Sequence, residues 1–198
     1  MIEFIETSIE PPYKIFVNKY HNALNAGQKN IEAMSISSYR KDKNEVDSRY
    51  VNLKYIEKDK FIFFTNYNSP KALSFLSHNQ ISGLFFWSSI NVQIRIKAII
   101  NKTTKQFNEK YFRKRSLEKN ALAISSRQSK SISSFDLVIE NYNHVKHNND
   151  LSKCPDYWGG FSFKPFEIEI WEGSEFRLNK RDLYSKKDNN WSHTILEP

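Results

Sequence analysis

The most constraining feature of the sequence is an alternation of polar and apolar side chains within residues 91–99. Successive side chains of a β-strand point to opposite faces of its sheet, so a period of two separates them into two sets. The segment is therefore predicted to be a strand with one polar and one buried face. The polar set is Asn91, Gln93, Arg95 and Lys97, and the apolar set is Val92, Ile94, Ile96 and Ala98.

Other short segments also carry β-type patterns, and turn residues separate them. Strands are predicted at residues 30–39, 47–55 and 60–66, and a buried strand at 81–87. After Tyr157, Pro, Gly and Asp or Asn turns divide the chain into four further short segments. These are WGGFSF, KPFEIEIWEG, SEFRLNKRDLYS and NNWSHTIL, which we interpret as a meander.

Helical spacing occurs in the segments between these strands. One helix is predicted from Pro12 to a stop at Gly27, a usual helix terminator. A second is predicted to begin with Ser69 as N-cap and Pro70 at its first position. The remaining helical segments fall between residues 103 and 147, around YFRKR, LEKNALAISSRQS and SFDLVIENYNHVKH.

This order of elements predicts the fold class. Antiparallel strands with short helices between them favour an α+β protein built on a barrel or sandwich, because a doubly wound sheet would alternate strands and long helices throughout. The length of 198 residues suits one domain, with no repeat or linker dividing it. We therefore expect a single domain over residues 1–198, whose first 40 residues carry the weakest assignment.

The charge balance restricts the class of partner. Thirty Lys and Arg against 22 Asp and Glu give a formal charge of +8, which suits nucleic acid, an anionic membrane surface or small phosphorylated ligands. The most apolar segment, residues 81–87, is far shorter than the roughly 20 residues of a membrane-spanning helix. A lone cysteine, Cys154, and an acidic N-terminal segment without a signal-peptide pattern favour a reducing cytoplasm.

Common catalytic signatures are missing from the sequence. No phosphate loop, dinucleotide fingerprint, zinc-protease motif, paired CxxC or serine-hydrolase elbow occurs. His144 and His147 lie three residues apart, but two histidines without further ligands do not make a metal site, and none is predicted. Cations do lie beside hydroxyl groups in or near the strands, an arrangement suited to phosphate dianions. They are Arg49, Lys54, Lys71, Arg115, Arg177 and Arg181.

Taken together in order, these segments resemble the pyridoxine (pyridoxamine) 5′-phosphate oxidase family of FMN-dependent enzymes. The matching motifs run from about Asp47 to the C-terminus: RYVNLK, FFTNYNSPKA, FFWSSINVQIRI, YFRKR, SSRQS, WGG, EIEIWEGSEFRLNKR and a terminal W-x4-L-x-P. The resemblance implies an antiparallel split β-barrel surrounded by short helices. It also implies a homodimer that binds FMN in two clefts at its interface, with residues from both chains.

The resemblance also assigns residues. It implies FMN contacts from Arg49, Tyr50, Val51, Asn52, Leu53, Lys54, Phe64, Thr65, Ser69, Lys71, Gln93, Gln128, Ser129, Trp171 and Arg181. The substrate phosphate would lie against Lys54, Tyr111, Arg115 and Lys119. Arg177 and Asn179 would lie over the pyridine ring as the catalytic pair. The implied reaction oxidises pyridoxine or pyridoxamine 5′-phosphate to pyridoxal 5′-phosphate and reduces molecular oxygen to hydrogen peroxide.

Three positions depart from the family pattern. Pro70 replaces an arginine near the FMN phosphate, and Lys119 replaces a serine that faces the substrate phosphate. Asn179 replaces a histidine, and an amide can hydrogen bond but cannot take up a proton.

These departures leave two alternatives open: an FMN-dependent oxidoreductase of the same fold with another substrate, and a non-catalytic binder of flavin or pyridoxal phosphate. Neither nucleic acid nor a membrane is expected as a partner, because no nucleic-acid motif or spanning segment accompanies the charge.

Overall fold

A computed structural model describes all residues, 1–198, as nine strands and five α-helices. The strands are β1 (Glu3–Ile5), β2 (Ala33–Arg40), β3 (Glu45–Glu57), β4 (Lys60–Asn66), β5 (Gln80–Trp87), β6 (Val92–Lys102), β7 (Trp158–Glu172), β8 (Lys180–Lys187) and β9 (Asn190–Ile195). The helices are α1 (Pro11–Asn25), α2 (Pro70–Ser77), α3 (Lys105–Lys114), α4 (Leu117–Ser125) and α5 (Phe135–Asn148). No helix is both long and apolar enough to cross a membrane.

Six antiparallel strands close into a barrel. The strands lie in the order β3, β2, β5, β6, β7, and β4 pairs with both β3 and β7 to complete the ring. Strand β1 adds to β3 in parallel, while β8 and β9 extend the sheet beyond β7. Strand β7 serves both parts because residues 158–163 pair with β4 and residues 167–172 pair with β8. The predicted α+β class and split barrel are confirmed.

The barrel interior is filled mainly by aromatic and β-branched side chains. Phe61 stacks on Phe163 across the β4–β7 pair with ring centroids 5.2 Å apart. Helix α1 covers one end and inserts Phe16, whose ring meets Phe61 at 5.2 Å and Trp87 at 5.4 Å, both near edge-to-face. Such pairs add about 0.5–1.5 kcal/mol each beyond their area burial. Phe16 is fully buried, so α1 is part of the core.

Most predicted elements are confirmed. Strand β4 has the predicted bounds, and the alternation on β6 is observed, with Val92, Ile94, Ile96 and Ala98 buried. Helix α2 begins at Pro70 as expected, but the Ser69 hydroxyl does not cap it. That hydroxyl instead donates to the Asn66 carbonyl oxygen at 2.7 Å.

Four predictions about elements are corrected. Segments WGGFSF and KPFEIEIWEG form one strand, because β6 pairs with β7 from Phe161 to Glu172 and its register shift between Lys97 and Ala98 accommodates Pro165. Residues 175–177 form a 3-10 turn, and α4 ends at Ser125 before the SRQS segment. The 81–87 strand is buried on one face only, since the Phe86 side chain is 53% exposed. The sequence analysis did not predict strand β1, because its three residues are too few to show a periodicity.

Candidate active site

The cavity that gathers most of the predicted site residues, termed the main cavity, has a volume of about 600 Å³. It lies between strands β3 and β4, helices α3 and α4, and the segment after α4. Its lining carries five cationic side chains and no carboxylate, so it favours an anionic ligand. The cations are Lys54, Lys71, Lys114, Arg115 and Lys119.

Arg115 follows the last turn of α3, and its guanidinium is largely withdrawn from water. It lies over the Trp158 ring, with Cζ 4.4 Å from the ring centroid, and its Nη2 donates to the Lys119 carbonyl oxygen at 3.1 Å. Its Nη1 is buried and has no hydrogen-bond partner. Burial lowers the pKa of this guanidinium, while the Tyr111 phenol acts in the opposite direction. An unpaired buried donor is costly, so this arginine is prepared for a ligand oxygen.

An aromatic wall stands beside these cations. The Phe64 ring of β4 stacks on Tyr111 of α3 with centroids 3.7 Å apart and an interplanar angle of 11°. The ring of Trp158, at the start of β7, is nearly parallel to that of Tyr111, with an interplanar angle of 3°. Burial raises the pKa of the Tyr111 phenol, so the hydroxyl stays protonated at neutral pH and can donate a hydrogen bond.

Lys71 lies at the other end of the cavity, on the first turn of α2, and is 9% exposed. Its Nζ donates to the hydroxyls of Thr65 at 3.0 Å and Ser69 at 3.2 Å, and to Gln128 Oε1 at 3.1 Å. Desolvation, followed by the positive charge of Arg49, lowers the pKa of Lys71 to about 8. Three uncharged acceptors hold the ammonium but do not neutralise it, so an anion would bind here favourably.

A second pocket of about 370 Å³ adjoins the main cavity and shares Tyr50, Lys71 and Gln128 with it. Arg49 and Ser129 line this second pocket. Ser129 has a φ of +67°, in the left-handed region, which turns the chain sharply after Gln128. The SSRQS motif and the β3 segment therefore meet around Lys71, although about 60 to 80 residues separate them along the chain.

The remaining predicted residues lie where β6, β7 and β8 pair and in the loop between β7 and β8. Trp171 of β7 pairs with Gln93 of β6 on one side and with Arg181 of β8 on the other. The Glu169 carboxylate is buried between two arginines, accepting from Arg95 Nη1 and Arg181 Nε at 2.9 Å each. Arg181 Nη1 also donates to the Glu197 carbonyl oxygen at 2.9 Å. These bonds hold Arg181 in one orientation.

Arg177 and Asn179 lie in an exposed loop between β7 and β8. Arg177 has a φ of +61° and its neighbour Phe176 a φ of +56°, with the Phe176 side chain 90% exposed. Asn179 Oδ1 accepts from the Ser174 backbone N–H at 3.3 Å. Left-handed backbone at two consecutive non-glycine residues costs free energy, a feature often found at functional sites.

Within one chain the predicted site residues therefore divide into two groups. Eleven of them line the main cavity, namely Tyr50, Val51, Asn52, Lys54, Phe64, Thr65, Lys71, Tyr111, Arg115, Lys119 and Gln128. Gln93, Trp171, Arg177, Asn179 and Arg181 do not line it. Leu53 is fully buried in the core, so only its backbone remains to support its predicted cofactor contact. Ser69 is equally buried and reaches the cavity only through Lys71.

Several cavity residues were not assigned from the sequence. Trp158 lies in the WGG motif, and an aromatic residue beside two glycines could have indicated a position in the cavity wall. Lys114 and Ser126 gave no signal beyond their proximity to YFRKR and SSRQS.

Gly159 explains one requirement of the WGG motif. A Cβ at this position would collide with the Tyr67 hydroxyl and the Asn108 amide. That amide donates to Tyr67 Oη at 3.0 Å and accepts from the Gly160 N–H at 2.8 Å. We expect Gly159→Ala to lower the free energy of unfolding by about 1–3 kcal/mol, since overpacking forces neighbours apart. Chemical denaturation measures this, with Ser162→Ala as the control expected to change it by less than about 0.5 kcal/mol.

The polar groups of the two pockets suit a phosphate-bearing flavin. Arg49, Lys71, Thr65, Gln128 and Ser129 bring cationic and hydrogen-bonding groups together where the two pockets meet, and Arg115 offers an unpaired donor in the main cavity. No cluster of three or more His, Cys, Asp or Glu side chains is arranged as a metal site.

Solved structures define the class of protein. The fold matches PhzG from Burkholderia lata 383, solved with tetrahydrophenazine-1-carboxylic acid, at a TM-score of 0.90, 23% identity, and coverage of 96% of this chain and 93% of that one. A pyridoxamine 5′-phosphate oxidase-related, FMN-binding protein from Nostoc punctiforme matches at 0.79 and 12% identity, covering 96% and 99%. The fold is thus that of the pyridoxamine 5′-phosphate oxidase-like FMN-binding proteins.

Curated relatives define the family. A pyridoxine/pyridoxamine 5′-phosphate oxidase from Vesicomyosocius okutanii is 34% identical over 170 residues, covering 85% of this chain and 80% of that protein. Another from Colwellia psychrerythraea is 34% identical over 189 residues, covering 94% and 87%. A family model described as the pyridoxine 5′-phosphate oxidase C-terminal dimerisation region matches residues 158–198. The chain belongs to the pyridoxine/pyridoxamine 5′-phosphate oxidase family, as its motifs indicated.

Proposed function

We propose that this protein is an FMN-dependent oxidase that converts pyridoxine or pyridoxamine 5′-phosphate to pyridoxal 5′-phosphate. Two electrons and two protons leave the substrate and reduce molecular oxygen to hydrogen peroxide. With pyridoxamine 5′-phosphate, water supplies the aldehyde oxygen and the nitrogen leaves as ammonia. The observation that carries the proposal is the main cavity, where five cations and no carboxylate surround a space beside an aromatic wall. A cytoplasmic location, which the lone Cys154 favours, is part of the proposal.

The chain's own residues would bind and orient both molecules. Arg115, Lys54 and Lys119 would hold the substrate phosphate, with the protonated Tyr111 hydroxyl as a further donor. Arg49, Lys71 and Ser129 would hold the flavin phosphate. Bound FMN would supply the hydride-accepting chemistry, and the protein would contribute mainly position and charge.

A homodimer is part of this proposal. Trp171, Arg177, Asn179 and Arg181 do not line the cavity of their own chain, and the family model that matches residues 158–198 describes a dimerisation region. If the end of β7, the loop after it and β8 of a second chain completed the site, these residues would join the predicted residues that line the main cavity. The exposed Phe176 and Leu178 side chains, at 90% and 74%, are suited to burial against another subunit.

The first test is a spectrum followed by turnover. We expect purified protein to bind FMN, with the visible absorption of a flavoprotein, and to release hydrogen peroxide when either phosphorylated vitamer is added under air. Protein that acquires no flavin band with added FMN would contradict the proposal. A flavoprotein inactive with both vitamers would instead favour an oxidoreductase for another substrate, the alternative that Asn179 supports, or a non-catalytic binder.

A substitution at Asn179 distinguishes between these possible functions. We expect Asn179→His to raise kcat/KM for pyridoxine 5′-phosphate about tenfold, because imidazole exchanges a proton and an amide does not. FMN affinity should stay within about twofold of wild type. Asn22→His, in the exposed face of α1, is the matched control and should leave kcat/KM unchanged. A decrease in the Asn179→His variant would show that the loop is adapted to a different substrate.

A further inference from the structure

The second pocket contains one acidic side chain beside its two cations. Its lining includes two cations, Arg49 and Lys71, and one carboxylate, Asp47. Pro70 contributes no charge to the same lining. The formal charge of the pocket is therefore +1 with Lys71 protonated, whereas the main cavity next to it is lined by five cations and no acid.

Asp47 and Arg49 are bound to each other. Arg49 Nη2 donates to the Asp47 carboxylate, while Nη1 donates to the Ser38 hydroxyl at 2.9 Å and to the Asp47 carbonyl oxygen at 3.2 Å. The arginine side chain is 18% exposed and the carboxylate 59% exposed. The carboxylate thus occupies a guanidinium donor, Nη2, that would otherwise be available to a phosphate oxygen, and it is the more exposed partner of the pair.

Lys71 does not compensate for this pairing. Its three donors are already directed at Thr65, Ser69 and Gln128, and its side chain is nearly buried. The charges of both Arg49 and Asp47 act on Lys71, so the three groups belong to one electrostatic cluster. A phosphate dianion entering this cluster would meet a carboxylate of its own sign within a partly desolvated pocket.

We propose that Asp47 competes with the flavin phosphate for Arg49 and thereby lowers both the affinity of the site for FMN and its preference for FMN over riboflavin. The inference rests on the proposed function, since it concerns the same flavin site. The carboxylate must move away from Arg49 before phosphate binds, so part of the binding free energy of the phosphate is consumed. Riboflavin carries no phosphate and does not disturb the pair.

The test compares FMN and riboflavin binding to apo protein by quenching of flavin fluorescence. We expect Asp47→Asn to lower the Kd for FMN about tenfold, while the Kd for riboflavin stays within about twofold of wild type. The gain should disappear when Arg49→Gln is added, because the competition acts through that guanidinium. Asp42→Asn is the matched control: Asp42 pairs with Arg40 across the same two-residue spacing and lines neither pocket.

Three outcomes would overturn the inference. Unchanged or weaker FMN binding by Asp47→Asn contradicts it, as does an equal gain for riboflavin, which would place the effect away from the phosphate. A gain that persists with Arg49→Gln also contradicts it. If neither the wild type nor the variant binds any flavin, the proposed function itself fails, and the inference with it. Asp47→Ser, with the same readout, serves if the asparagine variant does not fold.

Discussion

Replacing Arg115 by alanine should lower kcat/KM for pyridoxine 5′-phosphate about 100-fold. Charge-assisted hydrogen bonds to a phosphate are worth about 1.5–3 kcal/mol, and each 1.4 kcal/mol is a factor of ten. The buried Nη1 has no partner within the protein, so its bond with the ligand replaces no internal bond. Steady-state peroxide production with the phosphorylated vitamer measures the loss.

A functional role for Arg115 also predicts a small effect on folding. Alanine removes an unsatisfied buried donor, which favours the variant, and it also removes the cation–π contact with Trp158 and the hydrogen bond to the Lys119 carbonyl oxygen, which favour the wild type. We expect the free energy of unfolding to change by less than about 1 kcal/mol.

The control is Arg113→Ala on the same helix, where an exposed guanidinium pairs only with Glu109 at 3.7 Å, and kcat/KM should stay unchanged. An equal loss in Arg115→Ala with non-phosphorylated pyridoxine would contradict phosphate recognition.

Replacing Lys71 by methionine should weaken FMN binding about 100-fold. The three donors of the ammonium point to Thr65, Ser69 and Gln128, but its positive charge still attracts a phosphate dianion. Its loss removes about 2–3 kcal/mol of this electrostatic attraction. Riboflavin binding should change far less, because it has no phosphate. Fluorescence titration measures both, and Lys110→Met, an exposed lysine of α3, is the control. Equal losses for the two flavins would contradict a phosphate role.

The same residue makes stability depend on pH in a definite direction. The pKa of Lys71 is about 8 in the folded chain and about 10.5 when unperturbed, because desolvation disfavours its charged form. Below pH 8 the folded chain must bury a charged ammonium, which lowers its stability. As pH rises from about 8 to 10.5, the folded chain holds Lys71 neutral while the unfolded chain still binds the proton, so the free energy of unfolding increases. The wild type should gain stability relative to Lys71→Met over this interval. Denaturation of both proteins at pH 7 and pH 10 tests the sign.

Local patterns in the sequence predicted most of the elements. The period of two on β6, Gly27 after α1 and Ser69-Pro70 before α2 are properties of short segments, so neighbouring residues were sufficient. The errors arose where distant partners decide the structure. Pro165 interrupts a strand pattern by itself, yet β6 carries the strand past it through a register shift.

The sequence by itself determined the family, the α+β class and the cations available for phosphate, since ordered motifs and side-chain chemistry need no coordinates. Only the tertiary structure decided which of them share a cavity. Closure of the barrel by β4 brings residues of β3, α3 and the SSRQS segment together across long loops. The unpaired nitrogen of Arg115 and the pairing of Arg49 with Asp47 likewise follow from burial and orientation in three dimensions, which local sequence patterns do not encode.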